Sequence, residues 1–484
     1  MALLRKLFQQ TFIYGLATVL PRVLSVFLLP LYTSVFEQAS GYGQYVNIYS
    51  WIAIFNVFLA YGMETAFFRF YHSNEKKKHV VSTALISLFA SSLIFLVFAL
   101  LFKGYLVEWT RIKGEFIKFT VYILVLDALA IIPFALLRAN EKPLKYAWIK
   151  TFSVAINLSL NLFFLLLLPD LANGTNTFFE SIYQENFEIQ YIFISNIIAS
   201  AVTLLMVSPA YFKTTYVFDL GLWNRMLGYA LPVLVAGIAF TVNEVVDKIL
   251  LTQMVSDTEA GKYGACYKLA LFMTLFGTAF RLGVEPFFFS QANKENPQNT
   301  YAQITNYFII IGSLILLFVV VYIDVLGKVL IRNDAYYEAF QIVPIILLAS
   351  FCLGIYHNLS VWYKITDRTK FGAYISTVGA ILTLVINLAL IPVWGYMASA
   401  LATLAAYGTM MLLSYYYGRK YYPIPYNMRK ISFYGGISIL FSVLSFYVFD
   451  SNLIVGSLLL LLFLGLIYKL EGDKLKTIFL KREN

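Results

Sequence analysis

The chain has 484 residues, 60% of them hydrophobic and only 13% charged, with a formal net charge of +10. A soluble fold of this length needs more charge than that to cover its surface, so the surface must largely face lipid. The positive charge sits mainly in short segments between apolar runs, which excludes a basic nucleic-acid-binding domain, and the two cysteines, Cys266 and Cys352, give neither a disulfide framework nor a metal-ligand spacing.

A helix rising 1.5 Å per residue needs roughly 20 apolar residues to cross about 30 Å of hydrocarbon. Runs of that kind predict spans at 9–34, 44–70, 80–102, 116–138, 146–168, 189–212, 222–251, 261–289, 302–323, 339–362, 371–391, 396–417, 431–448 and 452–468. They show no alternation of period two, which excludes a closed barrel. The expected fold class is an all-α polytopic membrane protein of about 14 transmembrane helices. Arg5 and Lys6 precede the first run, but no short apolar core with a small-residue cleavage site follows, so it reads as a retained span. Between spans, 22 Lys and Arg fall on one side and six on the other, which predicts cytoplasmic termini and an even number of spans.

An ionised group inside the membrane costs roughly 2.5–3.5 kcal/mol unless it is paired or meets water, so embedded charges are candidate functional residues. In the first span Arg22 follows Pro21, and Pro30 recurs downstream, which suggests a bendable helix carrying a cation. The second span carries Glu64 and Arg69, five apart and poorly placed to pair, and both read as structural charges. Asp127 lies mid-way along the fourth span, ahead of Pro133, and is the candidate for ion coupling in the first half. The loop 169–188 holds four acidic residues and no Lys or Arg, as an external loop should.

The seventh span contains Glu244, Asp247 and Lys248. The i,i+4 spacing pairs Glu244 with Lys248 and leaves Asp247 the less neutralised acid, so Asp247 and Glu244 join Asp127 as candidates to bind Na⁺ or a proton. In the eighth span Lys268 and Arg281 are thirteen residues apart, about 20 Å along one helix. Both are candidate substrate-binding cations, because a guanidinium grips phosphate in a fork and an ammonium adds a point charge. Glu285 follows Arg281 by one turn, and an i,i+4 pair with it is the expected structural role. His357 in the tenth span reads more readily as a buried structural histidine than as a proton carrier. The last two spans contain no interior charge.

An internal repeat is visible. An offset of 221 carries Tyr42-Gly43 to Tyr263-Gly264, Gly62 to Gly283, Glu64 to Glu285 and Phe67-Phe68 to Phe288-Phe289. An offset of 226 carries Glu141-Lys142 to Asp367-Arg368, Thr151 to Thr377 and Asn161-Leu162 to Asn387-Leu388. The unit is six spans, entering the membrane twice in the same direction. The expected organisation is an N-terminal six-helix bundle over 1–218, a C-terminal six-helix bundle over 219–420, and helices 13–14 with a tail over 421–484, the two bundles flanking a wet, electropositive cavity.

The segments Phe12-Ile13-Tyr14-Gly15, Pro21-Arg22 to Pro30-Leu31-Tyr32, Gly41-Tyr42-Gly43-Gln44-Tyr45, Gly62-Met63-Glu64-Thr65-Ala66, Arg138-Ala139-Asn140-Glu141-Lys142 and Gly261-Lys262-Tyr263-Gly264-Ala265 resemble the polysaccharide-specific transporter family. That family is grouped with the multidrug extruders and the lipid II flippases. The resemblance covers essentially the whole chain and identifies the substrate poorly. It implies alternating access without covalent catalysis, and movement of an undecaprenyl-pyrophosphate-linked oligosaccharide from the cytoplasmic to the external leaflet of a bacterial inner membrane. It further implies a cationic cavity for the pyrophosphate, with Arg22 and Arg281 in that role, and contact with membrane lipids and polysaccharide-assembly enzymes. No organic cofactor is implied, and the driving gradient is one of protons or Na⁺. Lipid II flipping, multidrug or cation antiport and, as a different class, a membrane glycosyltransferase stay open as alternatives. No phosphate-cradling nucleotide loop is present, which argues against direct use of ATP.

Overall fold

A computed structural model describes residues 19, 23, 26–73, 76–174, 177–291 and 295–480. Twelve helices among them are long and apolar enough to cross a membrane. There are thirteen if Asp257–Leu269 and Leu271–Glu285, which meet at a 49° bend, form one span. The first expected span falls largely outside the described residues, and its described end is the helix Val26–Val35. Helix is the dictated answer for such runs, since it alone satisfies every backbone polar group within a single segment in lipid.

The chain divides into two compact units, one of residues 1–265 with 376–399 and one of 266–375 with 400–484. In the first unit the 35-residue helix Leu220–Met254 packs along Ala39–Ala60 and Met63–Ser73. Those two shorter helices are separated by Tyr61 and Gly62, at φ 31° and 71°. A side chain at Gly62 is doubly excluded: the backbone is left-handed, and a Cβ there would stand 2.3 Å from the Ala230 carbonyl oxygen. Residues 376–399 join this unit through polar contacts with the long helix. Asn243 Nδ2 donates to the Ser376 carbonyl at 3.1 Å, and Thr383 Oγ1 donates to Asn243 Oδ1 at 3.0 Å.

Helices Ala39–Ala60 and Asp257–Leu269 approach backbone to backbone. A Cβ on Gly43 would lie 1.7 Å from the Asp257 carbonyl oxygen, and one on Gly261 would lie 2.0 Å from that of Ala39. Small residues at such crossings let membrane helices gain packing that lipid cannot supply. The glycine-rich segments Gly41-Tyr42-Gly43 and Gly261-Lys262-Tyr263-Gly264 are therefore a helix-packing device.

The second unit is built around Phe308, fully buried, with Phe276 and Phe280 at ring distances of 5.0 and 4.9 Å. Helices Met428–Val443 and Leu453–Leu480 lie against Pro297–Val321 through a cluster that includes Leu317, Tyr434 and Phe463. Lys430 pairs there with the buried Glu471, which also accepts from the Tyr434 hydroxyl at 3.2 Å. Ile454, Leu458, Leu461 and Leu462 stay exposed, as a lipid-facing stripe requires.

The sequence repeat returns as repeated geometry. Asn161 and Asn387 are both fully buried, and each Nδ2 donates to the carbonyl four residues back at 2.7 Å. Glu141 and Asp367 both take left-handed φ, at 52° and 55°. The following residue in each case donates its N–H to the carbonyl five positions earlier: Lys142 to Leu137 at 3.0 Å and Arg368 to Tyr363 at 2.8 Å. Both are helix ends closed by the same left-handed cap.

Candidate functional site

Within the first unit, a cavity of about 570 Å³ is lined by Glu64, Asp127, Arg138, Lys150 and Ser200, among others. Asp127 comes from Gly114–Ala139, six residues before that helix's Pro133, and accepts from Ser200 Oγ at 2.9 Å. One turn earlier on the Ser200 helix, Asn196 Nδ2 donates to the Tyr49 hydroxyl at 2.5 Å. Lys150 is an electrostatic partner of Asp127, and its ammonium stands 4.3 Å from the centre of the Phe134 ring. Glu64 pairs with Arg138, whose guanidinium also lies 4.9 Å from the Phe68 ring centre. Among the described residues, two acids face two cations in this cavity.

From Tyr49 a run of rings continues. Tyr45 lies 4.6 Å from Tyr49 and 5.1 Å from Tyr32 between ring centres, and the Tyr32 hydroxyl donates to Asn161 Oδ1 at 3.0 Å. Tyrosines present an apolar face with a polar tip, and asparagine amides both donate and accept. Here Tyr32 and Asn161 are buried and bonded to each other, so the run of rings is a packing feature beside the cavity.

Within the second unit, Arg281, Glu285, His357, Asn358, Ser360 and Lys364 line one small pocket. Glu285 does not take the Arg281 partner that its one-turn spacing suggested; it pairs with Lys364 at 2.6 Å. Lys268 is half-buried in the last turn of Asp257–Leu269, immediately ahead of the bend, and does not line this pocket. Arg22 lies outside the described residues.

The remaining predicted charges are placed differently from one another. Arg69 is exposed, its guanidinium 4.3 Å from the centre of the Tyr229 ring. Asp247, expected to be the less neutralised acid of its cluster, is the most enclosed. Lys248 Nζ stands 3.0 Å from Asp247 Oδ1, and the Tyr263 hydroxyl donates to Oδ2 at 2.6 Å. Lys248 also donates to the backbone carbonyl of Glu244 at 2.8 Å, and Glu244 itself is half-buried.

Sequence reading missed Arg138, Lys364 and Lys150 as site residues. Arg138 and Lys364 read as loop cations, yet they are related by the same offset of 226 that pairs Glu141-Lys142 with Asp367-Arg368. Lys150 had its own signal, a cation in the first half of an apolar helix. Among the described residues no group of three or more His, Cys, Asp or Glu is placed to hold a metal ion.

A family model described as polysaccharide biosynthesis protein matches residues 7–276, more than half of the chain. The chain belongs to the polysaccharide biosynthesis protein family. A second model, MatE, matches residues 232–389. Together the two matches place the chain in the multidrug/oligosaccharidyl-lipid/polysaccharide exporter superfamily. No curated protein sequence matches the chain.

Solved structures share the fold. A lipid II flippase MurJ in an inward closed conformation aligns with TM-score 0.74 at 15% identity, covering 95% of this chain and 99% of its own. An inward-facing multidrug resistance MATE family transporter aligns with TM-score 0.64 at 11% identity, covering 88% and 96%. A mutant of the Vibrio cholerae MATE transporter VcmN aligns with TM-score 0.58 at 15% identity, covering 87% and 98%.

Proposed function

We propose that this family member moves a polyprenyl-pyrophosphate-linked saccharide from the cytoplasmic to the external leaflet of a bacterial inner membrane by alternating access. The observation that carries the reading is the cavity among the membrane-spanning helices of the first unit, where Arg138 and Lys150 accompany Asp127 and Ser200. Fixed cations lower the cost of bringing a pyrophosphate out of water. Arg281 and Arg22 remain the proposed phosphate ligands from the sequence, with Lys268 as a further cation. Cytoplasmic termini and a six-span duplication complete the proposal, supported by the Lys and Arg distribution and by the repeated Asn161/Asn387 and Glu141/Asp367 geometries.

Two headgroups compete. Lipid II is favoured by the likeness to a lipid II flippase over 95% of this chain. A repeat-unit oligosaccharide is favoured by the family match, which is confined to residues 7–276. The longer coverage makes lipid II the first substrate to test.

The test is flipping in proteoliposomes loaded with fluorescent lipid II or with a lipid-linked oligosaccharide, each competed by the other. Wild type should flip at least one of them, and K150A, R138A and R281A should slow it. Wild-type rates in all three variants and in R22A would remove the phosphate roles. Transport of small organic cations, with no flipping of either lipid, would replace the reading with drug antiport.

A further inference from the structure

A second pocket in the first unit, of about 370 Å³ and separate from the cavity above, is lined by Lys77, Lys78, Lys142, Lys145 and Lys213 and, among the described residues, by no Asp or Glu. Its remaining lining is largely apolar, including Pro133, Leu137 and Val207. One wall is fixed by Tyr71, whose hydroxyl donates to Asn140 Oδ1 at 2.9 Å and whose ring faces the Lys77 ammonium at 5.1 Å.

Two helices start at this pocket, Lys77–Leu101 and Pro143–Leu162. Helix starts favour acidic residues and side-chain caps, because the first backbone N–H groups are unpaired and carry partial positive charge. Both starts are built the opposite way. Neither has an acidic residue in its first turn, neither has a side-chain cap, and the cap positions are Lys76 and Lys142. Five ammoniums and two helix starts thus add positive potential in one concavity, which an anion complements.

We infer that this pocket binds the phosphate-bearing headgroup of a lipid, the phosphate held by Lys142, Lys145 and Lys213 and the chain lying against the apolar wall. The apolar lining is what favours a lipid over a free phosphate ion. The site is independent of the transport reading, because it uses none of the cavity residues. Phospholipid and polyprenyl pyrophosphate present the same chemistry, so the experiment separates them.

The purified full-length protein in neutral detergent is titrated with three probes: short-chain phosphatidylglycerol, farnesyl diphosphate and inorganic pyrophosphate. Binding is read by microscale thermophoresis for wild type, K142A/K145A/K213A and the charge-retaining K142R/K145R/K213R. About one order of magnitude for every one to two surface lysines is the scale of the expected effect, so the alanine variant should bind the preferred lipid about a hundredfold more weakly, and the arginine variant within about threefold of wild type. Preference for phosphatidylglycerol identifies a bilayer lipid, and preference for farnesyl diphosphate identifies a polyprenyl carrier. Equal affinity of wild type and the alanine variant for all three probes overturns the site, and so does lysine-dependent binding of pyrophosphate alone, which would make it a free-anion site. Should the alanine variant fail to yield monodisperse protein, K142Q/K145Q is read in the same assay, with at least a tenfold loss expected. Because the readout is binding, failure here leaves the flipping assay untouched.

Discussion

Glu285 and Lys364 repeat the ion pair that Glu64 makes with Arg138. The acids are 221 residues apart and the cations 226, the same two offsets that relate the repeated sequence segments. One pair ties Met63–Ser73 to the end of Gly114–Ala139, and the other ties Leu271–Gln291 to Val361–Ile365. Their side chains are 28–40% exposed, so each pair contributes little to stability, about 0–1 kcal/mol.

The first prediction follows from that small stability term. E285Q and E64Q should melt within about 1 kcal/mol of wild type, yet slow flipping if the pairs open and close during transport. The charge swap E285K/K364E should restore more activity than E285K alone retains. A swap no better than the single variant in the proteoliposome assay would assign these residues to something other than their mutual pairing.

Gly43 and Gly261 carry the second prediction. In both cases the obstructing atom is a backbone carbonyl oxygen, which cannot rotate away as a side chain can. G43A and G261A should each cost about 1–3 kcal/mol or more through overpacking. Gly408 has nothing within 4 Å of its would-be Cβ, and G408A should be neutral or slightly stabilising. Thermal unfolding followed by size-exclusion chromatography compares the three, and equal behaviour would contradict the close approach.

Asp247 and Lys248 supply the third. Asp247 is 1% and Lys248 9% exposed, so D247N takes the carboxylate out of a buried ion pair. D247N should cost about 3–5 kcal/mol, and D247N/K248M should recover most of that loss. Y263F, losing one hydrogen bond to a charged group, should cost about 1.5–3 kcal/mol. A double variant less stable than D247N would mean that Lys248 is held chiefly by the Glu244 carbonyl.

Asp127 carries the fourth. D127N keeps an acceptor for Ser200 but removes the charge, whereas S200A keeps the carboxylate and removes only the hydrogen bond. If this carboxylate carries the coupling ion, flux through D127N should no longer respond to an imposed proton or Na⁺ gradient, and S200A should still respond. A D127N response equal to wild type would rule this acid out of coupling.

Much of the fold was legible in the sequence. The run of apolar residues that ends near Leu101, or the one that begins near Pro297, is a span on length alone. The site was less legible for an identifiable reason. Spacing rules see only neighbours on one helix face, so they join Glu285 to Arg281. The partners of Glu285 and Glu64 instead come from other helices, and Tyr263 reaches Asp247 from across a loop. Lys364 and Arg138 carried a readable clue in their shared offset from the repeat, while the link from Asp127 through Ser200 to the Asn196 helix had no sequence signature at all.

By itself, then, the sequence determined a lipid-facing helical chain, the approximate position of its spans and the existence of an internal repeat, because the transfer of apolar side chains from water is additive along a segment and needs no knowledge of distant residues. Tertiary structure alone decided which embedded charges are neutralised, which glycines are backbone contacts and where polar space lies. Those outcomes turn on separations of about 3 Å between residues remote in the chain, a scale on which the sign and strength of an electrostatic interaction are set by the neighbour that packing delivers.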